Sequence, residues 1–433
     1  MALADTSVKW FSSGMPSAPI VDNNWGCMTA LLDNLLVTGF NVKTIFSMTF
    51  APNSGVGGVV TCNIPAGHSY QVGQVVKIAG AVQPEYNGEW HVETTQSDKF
   101  TYRVEVAPQT LSASTATSLT ARVAPLGFEI VYTRTNKRAY RSKNPESLGN
   151  MLVVDDGPKS APYDNVAYAK WAAVGIAENM SDIDTTVGAQ APHDPNKPNF
   201  NWTSYDPYQM GWYKWYYART APYESSGDGG GGPRNWVLVG DSRMFYLFMT
   251  CQQNFQWYGR DVWCFGDITS FKPGDQYSTV LHASDAPGSF INGNYHSYPG
   301  YSEGWGGITH TLTYEGSLFL RNHTQVGNPC RWGVTSLNLA NTQMRNGEDY
   351  LPYPNGPDYS LWLMPVYCRQ EDRHMRGMMP GLRWLPQKTS HSDLSIVDNV
   401  VGQEGRKFLF VKSTVTNNTE GATSVLDITG PWR

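Results

Sequence analysis

The sequence predicts a mainly β protein: an antiparallel β-sandwich-like body with one short N-terminal helix and an inserted small β-barrel or immunoglobulin-like module. Three observations lead to this prediction. The 42 glycines and 27 prolines are spread along the chain and indicate frequent turns. Between them lie short stretches that alternate apolar and polar residues, as half-buried strands do. One stretch near the N-terminus has clear helical periodicity. The 433 residues are enough for two or three domains.

The helix is predicted over Asn24–Val37, or about residues 24–38. Its apolar side chains fall at helical spacing on one stripe, formed by Trp25, Met28, Leu32, Leu35 and Leu36. Asp22, Asn23 or Asn24 would cap its start, because short polar side chains accept hydrogen bonds from the first free N–H groups. Gly39 would end it.

The inserted module is predicted over residues 52–124, with residues 1–51 and 125–433 forming the main body. Four short strands are expected in it, separated by turn residues: Val59–Cys62, Val75–Ile78, Glu89–Glu93 and Phe100–Val104. Asn87-Gly88 favours a tight hairpin turn. About fifty residues with this pattern can close a small barrel or sandwich. Ala107–Thr120, rich in Ser, Thr and Ala, is either a connector or a weak strand.

The remaining body is also predicted as strands. Tyr163–Glu178 is ambiguous, since its alanines favour a helix and Gly175 with the alternation around Trp171 favours a strand; we favour the strand. Trp236–Phe248 is typical of a hairpin that turns at residues 240–242. Four later stretches have strand patterns: Leu318–Leu320, Leu361–Val366, Lys407–Val411 and Val425–Ile428.

Composition excludes some function classes. The net charge of −5, with 32 Lys and Arg, gives no basic field for nucleic acid. Charged residues make up 16% of the chain, against about 25% in average globular proteins, and aromatic residues 13%. Such surfaces suit protein interfaces or sugars. We expect no secretory signal and no membrane span. The six cysteines are widely spaced and fit buried free thiols.

Several stretches resemble structural proteins in the virions of tailed bacteriophages and prophages. The resemblance is carried by Pro65–Val104, with its Gly-His, Val-Gly-Gln, Tyr-Asn-Gly and Phe-Thr-Tyr elements, and by four further stretches: Lys9–Asn41, Pro125–Ser147, Arg234–Phe248 and Ser424–Arg433. Asn179–Arg234 departs most from the pattern. The resemblance implies a tail-associated setting and carries over no catalytic or ligand residue.

One aromatic cluster is the strongest candidate site. Eight aromatic residues crowd Trp202–Tyr217, and seven of them are candidates for binding a glycan or a protein partner: Trp202, Tyr205, Tyr208, Trp212, Tyr213, Trp215 and Tyr216. Flat rings with polar tips suit stacking on sugars or anchoring a partner. The alternative, which we favour, is that they pack a loop onto the body or fill a subunit interface.

Other constellations are weaker. His282, His296, His310 and His323 are too widely spaced to indicate a metal site, and Asp155, Asp156, Asp182 and Asp184 lack a calcium-loop pattern. The Gly227–Pro233 loop lacks the Lys-Ser/Thr of a phosphate cradle. Glu303 and Glu315 are the pair considered for hydrolysis. Arg369, Arg373 and Arg376 either pair with acids of a neighbouring subunit or lie in a solvated loop.

The resemblance, together with the aromatic, weakly charged composition, implies a non-enzymatic structural component of a phage virion, in the tail or tail tip. We expect it to be made in the host bacterial cytoplasm and to assemble with copies of itself and with other virion proteins. We expect no cofactor, no metal and no nucleic-acid partner. The alternatives are a receptor-binding lectin that takes host cell-surface glycan and, less favoured, a glycan depolymerase.

Overall fold

The computed structural model of the chain describes residues 3–53, 57–158, 165–193, 213–218, 230–250, 260–283, 317–327, 330–335, 360–370, 374–385, 387, 389–412 and 423–433. Strands dominate these residues, their sheets are antiparallel and the α-helix is short. The predicted mainly β fold with one short N-terminal helix is confirmed. No helix of the described residues is long and apolar enough to cross a membrane.

The strands of the first part of the chain are β1 Lys9–Ser12, β2 Phe40–Thr44, β3 Ser47–Pro52, β4 Gly58–Asn63, β5 Val75–Ala81, β6 Gly88–His91, β7 Thr94–Thr95, β8 Lys99–Val104 and β9 Thr115–Val123. Strands β2 to β9 form two four-stranded sheets, ordered β2-β9-β5-β6 and β3-β4-β8-β7. All four strands predicted in the module are present. The Ser/Thr-rich return is a strand from residue 115 onward, and it lies between β2 and β5.

The later strands are β10 Phe128–Arg134, β11 Lys137–Ser142, β12 Met151–Asp155, β13 Trp171–Asp182, β14 Thr185–Ala191, β15 Tyr213–Tyr216, β16 Trp236–Gly240, β17 Met244–Met249, β18 Asp261–Asp267, β19 Thr269–Ser270, β20 Thr279–His282, β21 Ser317–Phe319, β22 Cys330–Thr335, β23 Met364–Gln370, β24 Met375–Leu385, β25 Ile396–Asp398, β26 Lys407–Lys412 and β27 Thr423–Asp427. Strands β10 to β15 form one sheet, and the others join β1 in a second, larger sheet. The strand favoured before residue 178, the hairpin after Trp236 and the four later strands are confirmed, with shifted ends.

The N-terminal helix follows the predicted stripe but differs at its start. An α-helix, α1 (Cys27–Leu32), continues as a π-helix over Asp33–Thr38 and ends at Gly39, whose φ is 77°. The stripe residues from Met28 to Leu36 are fully buried. The predicted side-chain cap from Asp22, Asn23 or Asn24 is wrong, because the residue at the cap is Gly26. The N–H of Met28 donates instead to Asp156, 2.8 Å away and 128 residues later in the chain.

The predicted tight turn at Asn87-Gly88 is also wrong. Strand β5 pairs with β6 through Ile78 and Gly88, so the connection is longer and contains a 3₁₀ turn, Pro84–Tyr86. Asn87 stabilises this connection with its side chain, which accepts from the N–H of Ala81 at 3.0 Å and donates to the carbonyl of the same residue at 2.9 Å. The amide thus pairs with the end of β5 as a neighbouring strand would.

The division into domains remains a prediction, and the sheets show where to test it. Strand β3 ends at the predicted boundary, residue 52, yet pairs with β4 inside the module. Strand β2 likewise pairs with β9. The chain enters these sheets after Gly39 and leaves at Val123, where Phe40 and Val123 are paired. A boundary placed after residue 39 and before residue 124 would therefore keep all strands of both small sheets in one piece.

We expect a chain in which a short Gly-Ser linker replaces residues 40–123 to fold cooperatively. The two ends of the cut are neighbours, and the N–H of Leu126 still donates to the carbonyl of Leu35. Removal of residues 55–124 should give a lower melting temperature, because β2 and β3 lose their partners. Thermal unfolding followed by circular dichroism would measure both. A non-cooperative melt of the 40–123 excision would contradict the inserted module.

Candidate functional site

The aromatic cluster lies only partly within the described residues. Trp202, Tyr205, Tyr208 and Trp212 fall outside them. Tyr213 begins strand β15, which pairs with β13. The predicted binding role of these five residues therefore stays a prediction.

Trp215 and Tyr216 have no exposed surface in the chain. The indole N–H of Trp215 donates to the carbonyl of His282 at 2.8 Å, and the ring packs edge-on against Phe245 at a centroid distance of 6.1 Å. The carbonyl of Tyr216 accepts from the indole of Trp263 at 3.2 Å. These two rings fill the interior, which is the packing alternative, so a binding role would require them to leave the core.

The next ring in the cluster joins a buried polar centre. Tyr217 is fully buried, and its hydroxyl donates to Oδ1 of Asp156 at 2.7 Å. Asp156 is itself 0% exposed, and its Oδ2 accepts from the N–H of Met28. Its backbone carbonyl accepts from Gly26 at 3.0 Å. One carboxylate thus connects the start of α1, the end of β12 and the end of β15.

This centre keeps its neighbours protonated. Burial, followed by the negative charge of Asp156, raises the pKa of Tyr217 well above its ordinary value. The same two causes, in the same order, raise the pKa of the Cys27 thiol. Tyr217 therefore remains a hydroxyl donor, and Cys27 is an unreactive thiol, since the thiolate is the reactive form.

Lys214 carries its charge into the same interior. Its side chain is fully buried, with Nζ 4.5 Å from the centroid of the Trp171 ring and 5.8 Å from that of Tyr216. An ammonium over the face of an aromatic ring is attracted by the ring's electrons. In the described part of this segment, rings and charge therefore face inward.

Other sequence candidates also have partners inside the chain. Arg376 was considered for pairing with a neighbouring subunit; it is 1% exposed and binds Asp275 at 2.8 Å. Both open alternatives, pairing with a neighbouring subunit and a solvated loop, are wrong for Arg376, because its buried guanidinium also donates to Gln370 and lies over the ring of Phe319. Arg373 lies outside the described residues, as do His296, His310, Glu303 and Glu315.

Two of the aspartates compared with a calcium-loop pattern lie beside basic side chains of the same chain. Asp184 binds Lys137 and Arg134, each at 2.6 Å, and Asp155 lies 3.9 Å from Lys137. Burial lowers the pKa of His282 to about 3, so it is neutral at neutral pH. Among the described residues, no three His, Cys, Asp or Glu side chains are placed to hold a metal ion.

The described part of the glycine-rich loop presents carbonyls to a cation. Arg234, 2% exposed, donates to the carbonyl oxygens of Gly230, Gly231 and Gly232 at 2.6–3.1 Å. A phosphate cradle requires the opposite polarity, with N–H groups facing an anion. These carbonyls bind the chain's own guanidinium.

The two small sheets present the most conspicuous exposed apolar set. Six large apolar side chains of residues 40–123 are more than half exposed: Val42, Phe46, Val72, Val82, Val106 and Leu111. Phe46 is the most exposed, at 78%. Contiguous exposed apolar patches mark contact surfaces in soluble proteins, whereas single exposed apolar side chains are common. Sequence patterning did not single out these residues. Five of them lie in connections between short strands, which was the available signal, and Val42 lies in β2.

Comparisons with known proteins do not show a family for the chain. No protein-family model matches the chain, and no curated protein matches it. Among solved structures it is similar to the phage phi92 endosialidase, with 10% sequence identity and a TM-score of 0.17, over 90% of this chain and 70% of that chain. A likeness of this size carries no argument about fold, activity or partners.

We expect Asp156→Ala to destabilise the protein by about 3 kcal/mol or more, because it leaves the buried N–H of Met28 and the hydroxyl of Tyr217 without their acceptor. Asp155→Ala is the matched control. Its side chain is partly exposed, and its loss should cost below about 1 kcal/mol. Urea unfolding would measure both. Equal losses would contradict the role given to Asp156.

Proposed function

We propose that the chain is a non-enzymatic structural component of a bacteriophage virion, placed in the tail or tail tip. It acts by assembling with copies of itself and with neighbouring virion proteins. The observation that carries the proposal is the exposed apolar set on residues 40–123. The sequence resemblance to virion proteins supports the setting.

The exposed set suits protein contacts. Burying a side chain the size of Phe46 or Leu111 is worth about 1.5–3 kcal/mol. The interior by contrast shows satisfied polar groups: Asp156, Lys214, Arg234 and Arg376 have partners within the chain. Such groups stabilise the fold, and the apolar surface remains for a partner.

The glycan-binding alternative has no specific support in the described residues. The two aromatic candidates whose side chains are described, Trp215 and Tyr216, are buried. A lectin site would have to use the members of the cluster outside the described residues. Glycan binding and self-association can be measured separately on the same purified chain and its variants, so the lectin alternative can be tested alongside the proposal.

We expect the purified chain to self-associate, and Phe46→Ser with Leu111→Ser to weaken that association at least about tenfold, since two buried apolar side chains are lost from the contact. Val401→Ser is the matched control, because Val401 is 66% exposed and lies outside the two small sheets. Analytical ultracentrifugation over a concentration series measures the association.

Two outcomes would contradict the proposal. One is a strictly monomeric chain that the double variant leaves unchanged and that no virion protein binds. The other is turnover of a glycan by the purified chain, measured as release of reducing sugar. Binding on a glycan array, unchanged in the double variant, would favour the lectin.

A further inference from the structure

His91 of β6 joins two parts of the chain through both of its ring nitrogens. Nδ1 lies 3.0 Å from the carbonyl oxygen of Gly73, in the turn before β5. Nε2 lies 2.8 Å from the carbonyl oxygen of Asp5. Asp5 belongs to the N-terminal segment, which we define as residues 3–12 and which ends with β1. The imidazole therefore bridges this segment and the two small sheets.

Both partners of His91 are carbonyl oxygens, which can only accept hydrogen bonds. A neutral imidazole carries one N–H, so it can donate to only one of them. Its other nitrogen would then place a lone pair against an oxygen at hydrogen-bonding distance. The imidazolium carries two N–H groups and satisfies both contacts. Both contacts can be hydrogen bonds only when both ring nitrogens carry hydrogen.

Two further contacts attach the N-terminal segment to the same sheets. The N–H of Leu3 donates to Glu105 at 3.1 Å, and Lys9, 6% exposed, binds Glu89 at 2.9 Å. Glu89 precedes His91 by two residues in β6, so the two side chains share one face. The middle of the three contacts is thus the one that depends on a proton.

These contacts border a cavity of about 360 Å³ between the N-terminal segment, the turn at Gly73 and the C-terminal strands. The charged groups around His91 are Asp5, Lys9 and Lys407, which line the cavity, and Glu89 beside it. The carboxylate of Asp5 accepts from the N–H of Ser7 at 2.9 Å. Lys9 is paired with Glu89.

We propose that protonation of His91 controls the attachment of the N-terminal segment to the two small sheets. When protonated, His91 holds the N-terminal segment against the two small sheets. When it loses a proton, one of its two contacts turns repulsive, the segment loosens, and the cavity and the outer edge of β1 open. Acid therefore tightens this junction, and mild alkali loosens it.

His68, in the connection between β4 and β5, provides a control: its contact requires a ring nitrogen without hydrogen, whereas the two contacts of His91 require hydrogen on both nitrogens. Its Nδ1 accepts from the N–H of Tyr70 at 3.2 Å, and its ring stacks on that of Tyr70 at a centroid distance of 5.3 Å. Protonation of Nδ1 would remove this acceptor. A response that disappears on substitution of His91 and survives substitution of His68 is therefore specific to the junction.

The test is hydrogen–deuterium exchange of the full chain at about pH 5.5 and about pH 8, on either side of ordinary histidine titration, corrected for the intrinsic pH dependence of exchange. We expect protection of residues 3–12 to fall several-fold at the higher pH in the unaltered chain and in His68→Gln. In His91→Gln, protection should be the same at both pH values.

Equal protection at both pH values in the unaltered chain would overturn the proposal, as would a pH response that persists in His91→Gln. A loss that extended to the buried hairpin of β16 and β17 would indicate general destabilisation and would also overturn it. Nitrogen-15 spectra of the unaltered chain need no variant: both ring nitrogens of His91 should carry hydrogen at about pH 5.5, and a neutral ring there would contradict the inference.

Discussion

The buried carboxylate of Asp156 is the contact on which the arrangement of the chain depends. It caps α1 through Met28 and accepts from Tyr217 at the end of β15, so three segments far apart in sequence meet at one group. A charge without exposed surface is stable only if its hydrogen bonds are made. These partners therefore fix the helix against two strands of the β10–β15 sheet. The chain enters the two small sheets directly after that helix ends, at Gly39.

Other buried charged side chains likewise have their partners within the chain. Arg376 is enclosed by Asp275, Gln370 and the ring of Phe319, and Arg234 by a run of glycine carbonyls. Lys214 lies against the Trp171 ring. Each places a buried charge beside a partner within the chain.

Local patterns were enough to predict the fold class, the helix stripe, the hairpin after Trp236 and the strands of the module, because strand and helix periods are written in neighbouring residues. Contacts made by individual side chains were not predictable. The cap on α1 comes from Asp156, and Asn87 pairs with β5 through its side chain, so neither follows from local turn and cap preferences. The inward direction of Trp215 and Tyr216 depends on β15 pairing with β13, and the exposure of Phe46 depends on where two sheets end.

The described interior thus contains buried charges with partners inside the chain, while residues 40–123 carry six apolar side chains that are more than half exposed. The central claim is that this module makes the contacts by which the chain works. Under the proposed virion role, electron microscopy of intact particles that contain the chain tests the claim most directly. We predict density for several copies in the tail, with residues 40–123 buried against a neighbouring subunit. Particles without the chain, or copies whose module faces solvent throughout, would contradict it.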